Sequence, residues 1–204
     1  EPPAPEIRAL QALVWRADAL ISMRTQEMNR LGTAARAVEP SSREHIAYLD
    51  EQIEKMKQQI AGHIEGNPEL KNKKDLLGSI PGIGPATIAA ILAEINIFKR
   101  CDEDRKVVAF IGLAPNERVS GTSIKGKPRL CKIGHAKLRK TFYMPVLVSI
   151  QYNPVVIDFY RRLKSKGKNG KVIVCAIMRK LVHIIFGILK SGKLFDPNYK
   201  PHFA

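Results

Sequence analysis

Between Ser41 and Ile60, the apolar residues Ile46, Leu49, Ile53, Met56 and Ile60 recur at spacings of three and four. Only a helix gathers such a series onto one narrow stripe, and the alternation is that of a coiled-coil seam. Charged and amide residues fill the opposite face. Ser41-x-x-Glu44 has the form of a capping box at the start of this helix, and the helix should end near Gly62 to Gly66. An earlier helix is expected from Glu6 to about Gly32, with Ile7, Leu10, Val14, Ala17, Ile21, Met28 and Leu31 near a second seam. The loop between the two helices closes at Pro40. Two antiparallel helices follow, with Trp15 as a candidate anchor. The seam can pair within this hairpin, with another chain, or with the rest of this one.

Beyond the hairpin, helical periodicity continues. Short helices are expected over 69–77, 86–96 and 102–111. A helix over 134–150 should bend at Pro145, one from Pro154 should reach Lys164, and a long one should cover 172–189. Residues 116–134, rich in Gly, Ser, Lys and Pro, form either a two-stranded ribbon or an irregular loop. Lys164 to Lys171 reads as a flexible cationic loop. The fold class is therefore mostly α. A long helical hairpin over 1–68 precedes a compact helical domain over 69–204, which carries an irregular Ser/Gly/Lys-rich loop.

Charge divides the chain sharply. Residues 1–120 hold 16 Lys/Arg and 17 Asp/Glu, whereas residues 121–200 hold 18 Lys/Arg against only Asp158 and Asp196. A field of that sign attracts polyanions, chiefly nucleic acid. An anionic membrane surface fits poorly, because no stripe of large exposed apolar residues adjoins the cations. The apolar run from Leu181 to Leu189, interrupted by His183, is too short to cross a bilayer, and no signal peptide is visible. Cys101, Cys131 and Cys175 are far apart and show no zinc-ligand spacing, so they read as reduced thiols of a cytoplasmic protein.

Two stretches carry candidate chemistry. The first is Ile80-Pro81-Gly82-Ile83-Gly84-Pro85-Ala86-Thr87. Gly82 and Gly84 permit positive φ and close approach, Ile83 should pack inward, and the amides opening the next helix can hold a phosphate. This is the form of a helix-hairpin-helix turn, with a plain tight turn as the alternative. The second holds Ser120, with Ser123 three residues on, among Arg118, Lys125, Lys127, Arg129, Lys132, His135, Lys137 and Arg139. No acid lies between Glu117 and Asp158, so this stretch cannot bind a divalent metal by itself. A serine needs a base or a metal to act as a nucleophile. From composition the stretch is a phosphate-binding loop or a catalytic one. His135 suits a polar helix start.

The ordered series Pro81-Gly82-Ile83-Gly84-Pro85-x-Thr87, Phe110-Ile111-Gly112-Leu113-Ala114-Pro115, Ser120-Gly121 and Lys132-Ile133-Gly134-His135-x-x-Leu138-Arg139 resembles the C-terminal transposase domain of the IS-one-ten type of insertion-sequence transposases. Arg24-Thr25-Gln26-x-x-Asn29-Arg30-Leu31 is similar to the segment that precedes that domain. The resemblance implies a serine-type DNA recombinase of mobile elements, with Ser120 as nucleophile and Ser123 as second choice. It also implies a structured guide RNA, homo-oligomers bridged by the coiled coil, and a prokaryotic, nucleoid-associated location. An N-terminal RuvC-like domain with four acidic ligands for Mg²⁺ belongs to such proteins. No such acid set is visible here, and the Pro-rich start without Met reads as a fragment. The fragment alone should therefore need no cofactor and be inactive. The reading from another class is a non-catalytic module that holds DNA or RNA through the helix-hairpin-helix turn.

Overall fold

A computed structural model describes residues 2–116, 119–120, 124–125, 129–131 and 133–198. The chain forms two compact units, Glu1–Lys71 and Asn72–Ala204. The expected mostly α architecture is borne out. Ten helices are described: α1 Pro5–Leu31, α2 Glu39–Glu65, α3 Pro68–Gly78, α4 Pro85–Ala93, α5 Ile95–Arg100, α6 Asp104–Ile111, α7 Ala136–Thr141, α8 Tyr143–Tyr152, α9 Pro154–Ser165 and α10 Gly170–Ser191.

In the first unit, α1 and α2 run antiparallel. Ser42 at the start of α2 donates to Glu27 near the end of α1 at 3.0 Å, and His63 at the end of α2 meets the Glu6 carbonyl at 2.9 Å. Arg24 and Asp50 pair between them. Leu20, Leu49 and Ile53 form a buried cluster that Met56 partly covers. Leu20, not Ile21, therefore continues the α1 stripe of Ile7, Leu10, Val14 and Ala17, and Trp15 stands exposed rather than serving as an anchor. The capping box does not form. α2 begins at Glu39, with Pro40 inside its first turn and no side-chain cap. Proline's fixed φ and missing N–H suit that position, so the helix starts ahead of Ser41.

In the second unit, α10 is the central helix. Ile173, Ile177, Met178, Leu181, Val182, Ile185, Phe186 and Ile188 are buried on it. It packs against α6, α8 and α9. By length and composition it is apolar enough to cross a membrane, which the shorter run read from the sequence concealed. His183 on this helix holds Asp104 at the start of α6 through Nδ1 at 2.5 Å, and Arg179 donates to its Nε2 at 3.3 Å. Two expected helices are broken. The 86–96 helix stops at Ala93, and α5 starts again at Ile95, with Glu94 between them. The 134–150 helix becomes α7 and α8. Pro145 has no N–H to continue the α7 ladder, so it lies in the first turn of a new helix instead of bending an old one.

The Ser/Gly/Lys-rich segment takes the ribbon alternative at its described positions. β1 Pro115–Asn116 pairs antiparallel with β4 Arg129–Leu130, and β2 Val119–Ser120 with β3 Ile124–Lys125.

Candidate nucleic-acid interface

The ribbon is rooted on α6, and the root includes two of the candidate contacts, His135 and Arg139. Gly112 ends α6 in a left-handed conformation. The Leu113 amide returns to Val108 O at 3.0 Å, and the Cys131 amide meets Ala114 O at 3.0 Å just below the first ribbon pair. On the return arm, the His135 amide donates to Phe110 O at 2.9 Å. Gly134 at φ 136° makes that approach possible, since a Cβ there would lie 2.2 Å from the same carbonyl. Arg139 donates from a guanidinium nitrogen to Ile111 O at 2.9 Å. The last two carbonyls of α6, Phe110 O and Ile111 O, are thus taken up by the N-cap and first turns of α7.

His135 is a helix cap. Its Nδ1 accepts from the Leu138 amide at 3.0 Å, so a neutral ring carries its proton on Nε2, which lies 3.5 Å from the Glu94 carboxylate. The ring also stacks on Phe110, with centroids 6.2 Å apart. The expected polar helix start is what the structure contains. Both ring nitrogens face protein groups.

The Gly-x-Gly turn is also fastened from within. Gly82 has φ 97°, and a Cβ on it would sit 2.3 Å from Ser149 Oγ and under 3.0 Å from the Ser149 backbone. Its missing side chain makes room for α8. Ser149 Oγ donates to Pro81 O at 3.2 Å, and Asn153 Nδ2 donates to the same oxygen at 3.3 Å. Asn153 is fully buried, and its own oxygen accepts from the Val156 amide to cap α9. Ile83 packs inward as expected. Ser79 Oγ accepts from the Phe195 amide at 2.9 Å and so ties the tail to the same turn. What faces outward is Gly84, Pro85 and Ala86, the opening of α4, with no acid in its first turn. A Cβ on Gly84 would meet nothing within 4 Å.

The candidate contacts therefore separate. Gly82, Ile83, His135 and Arg139 are engaged in holding the domain together. Gly84 and Lys137 are exposed. Ser120, Lys125 and Arg129 are described by their strand register only, with Ser120 opposite Ile124, Lys125 opposite Val119 and Arg129 opposite Asn116. Arg118, Ser123, Lys127 and Lys132 lie outside the described residues. Among the described residues, no three His, Cys, Asp or Glu side chains converge as a metal site. The described carboxylates gather no set of oxygen donors around one point, which Mg²⁺ needs.

Sequence reasoning missed Ser149, Glu94 and the second hydrogen bond of Asn153. Asn153-Pro154 signals a helix cap, but nothing local signals that the same amide reaches back to Pro81.

Residues 74–161 match the family model described as Transposase IS116/IS110/IS902 family. A pilin gene-inverting protein of Moraxella bovis is 33% identical over 154 residues, which cover 75% of this chain and 48% of that protein. An uncharacterized 43.6 kDa protein of insertion element IS110 from Streptomyces coelicolor is 24% identical over 159 residues, 78% of this chain and 38% of its own length. The transposase for insertion sequence element IS1328 of Yersinia enterocolitica is 25% identical over 163 residues, 75% and 45% respectively. The chain spans about half the length, or less, of these curated relatives. The match corrects one expectation. The family is a transposase family and not one of serine recombinases, so the serine type expected from the resemblance is withdrawn.

Proposed function

We propose, from the match of residues 74–161 to the IS116/IS110/IS902 transposase family model, that this chain is the DNA-holding half of a transposase. It binds the DNA that is cut and rejoined when a mobile element moves or a segment inverts. The observation that supports this most is the charge of the second half, 18 Lys/Arg against two Asp over 121–200. A ribbon anchored by its root on α6 carries part of that charge. Backbone phosphates are the partners such a field selects, and they supply affinity with little sequence preference. The outward opening of α4 at Gly84 to Ala86 adds free amides of the kind that receive a phosphate.

The remaining assignments follow the same reading. A structured guide RNA shares the basic surface with DNA. Copies of the chain associate through the helical hairpin. Acids that hold Mg²⁺ for strand cleavage come from outside this chain, and the protein works at the nucleoid in the cytoplasm.

The test is fluorescence anisotropy of a labelled duplex at NaCl concentrations from 50 to 300 mM. Affinity should fall linearly on a log–log plot, with a slope near −0.9 for each phosphate neutralised and a total of roughly −4 or steeper. An affinity that does not change with salt contradicts the proposal.

A further inference from the structure

We propose that the α9–α10 turn is a second docking surface for a nucleic-acid backbone, formed by Arg161, Arg162, Lys164, Lys166, Lys168 and Lys171. The inference rests on the nucleic-acid reading above and says where a further part of that contact is made, on elements that do not belong to the ribbon.

Six cations occupy residues 161–171, and no acid occurs from Phe159 to Phe195. All six are exposed. Among the described residues, none of the six forms an ion pair. The helical hairpin treats its cations differently. There Arg43 is paired with Glu39, Lys55 with Glu51 and Lys57 with Glu54, each one helical turn away. A chain that needed charge only for solubility would mix signs here as it does there.

The turn is also built, where the sequence suggested a flexible loop. The Lys168 amide donates to Leu163 O at 3.3 Å, and the Gly167 amide donates to Lys164 O at 2.9 Å. With Gly167 at φ 65°, this is a Schellman closure of α9. Asn169 then caps α10 by accepting from the Lys171 amide at 3.0 Å. Only Gly167 and Lys168 separate the Lys166 cap of α9 from the Asn169 cap of α10, so the cations project from a defined backbone. Two are steadied further on aromatic faces: Arg162 lies 5.2 Å from the Phe159 ring centroid, and Lys164 lies 5.6 Å from that of Tyr160.

The electrostatics call for an anion. Lys164 and Lys166 at the end of α9 complement that helix's dipole. Lys168 and Lys171 stand at the positive end of α10, whose first turn has no acid to offset them. The fold gains nothing from cations there, and a phosphate placed among them relieves the repulsion. A phosphodiester chain offers such charges at a regular repeat. A bilayer surface would need large apolar residues beside the cations, and Val172 is the one exposed large apolar residue described in the turn.

The test compares the intact chain with two variants of equal net charge. One carries Lys164→Gln, Lys166→Gln, Lys168→Gln and Lys171→Gln. The other carries Arg8→Gln, Arg16→Gln, Arg36→Gln and Arg43→Gln in the hairpin. Each is titrated with a 30-base-pair DNA duplex, an RNA hairpin and phosphatidylserine vesicles over a salt series, after circular dichroism has shown an unchanged melt. The turn variant should lose roughly three units of salt slope on at least one nucleic acid, and the hairpin variant less than one. Loss on DNA alone or RNA alone identifies which backbone the turn holds. Equal slopes in the two variants, with a steep slope in the intact chain, overturn the inference and leave the nucleic-acid reading standing. Loss confined to vesicles also overturns it. An intact chain with no salt-dependent binding to either nucleic acid overturns both.

Discussion

Gly82→Ala separates two roles that the sequence alone leaves open for this glycine. At φ 97° an alanine pays left-handed backbone strain, and its Cβ meets Ser149 Oγ at 2.3 Å with Ser149 N and Cα at 2.8 and 2.9 Å. The hydroxyl can swing aside, but the α8 backbone cannot. Strain contributes about 1–2 kcal/mol and overpacking about 1–3 kcal/mol, so a loss of roughly 2–5 kcal/mol is expected. Displacing Ser149 also weakens its hydrogen bond to Pro81 O. For a unit the size of Asn72–Ala204, about 3 °C per kcal/mol gives a drop in Tm of roughly 6–15 °C. Gly84→Ala is the matched control. It has φ −94° in extended backbone, and open space surrounds the new methyl. Its Tm should stay within about 2 °C, in keeping with a surface change of ~0.5 kcal/mol. Differential scanning calorimetry of both variants decides the matter. If Gly82→Ala melts with the parent and loses DNA affinity instead, the packing argument is wrong and the glycine meets the ligand.

Three further substitutions probe the same scaffold. Asn153→Ala leaves the Val156 amide uncapped and removes a donor from Pro81 O in a fully buried site, and should cost about 2–4 kcal/mol in denaturant titration; a loss below ~0.5 kcal/mol would refute the role. His135→Ala removes the cap on Leu138 N and should cost about 1 kcal/mol, most of which His135→Asn should restore. Gly134→Ala drives a Cβ to 2.2 Å from Phe110 O and should release the return arm of the ribbon, read as faster hydrogen exchange at the His135 and Cys131 amides, with unchanged exchange counting against it.

Much of the fold was legible because helical periodicity is a local signal. Ile46, Leu49 and Ile53 announce α2, and their burial follows from the stripe they form. The errors lie where a local rule meets a stronger one. Ser41-x-x-Glu44 satisfies the capping pattern, but Pro40 already suits the first turn and moves the start upstream. Pro145 inside an apolar run predicts a bend, but it lies in the first turn of α8. The break at Glu94 has no proline or glycine to mark it. The site was legible as charge and illegible as roles. Gly-x-Gly permits a phosphate seat and equally a place where another helix comes close, and only Ser149, 67 residues away from Gly82, decides between them. Arg139 counts as a cation in the sequence, yet it spends a donor on the Ile111 carbonyl. The residues around Ser120 leave a phosphate-binding loop and a catalytic one both open; the serine type came with the resemblance alone, and the family match removes it.

The central claim is that nucleic acid lies against the second unit, over the ribbon, the opening of α4 and the α9–α10 turn. Hydrogen–deuterium exchange of the chain with and without a saturating DNA duplex tests it most directly. Protection should rise at the ribbon, at the amides of Ala86 and Thr87, and between Ser165 and Val172, while α1 and α2 exchange as before. Protection confined to α1 and α2, or none anywhere at saturation, would contradict the account.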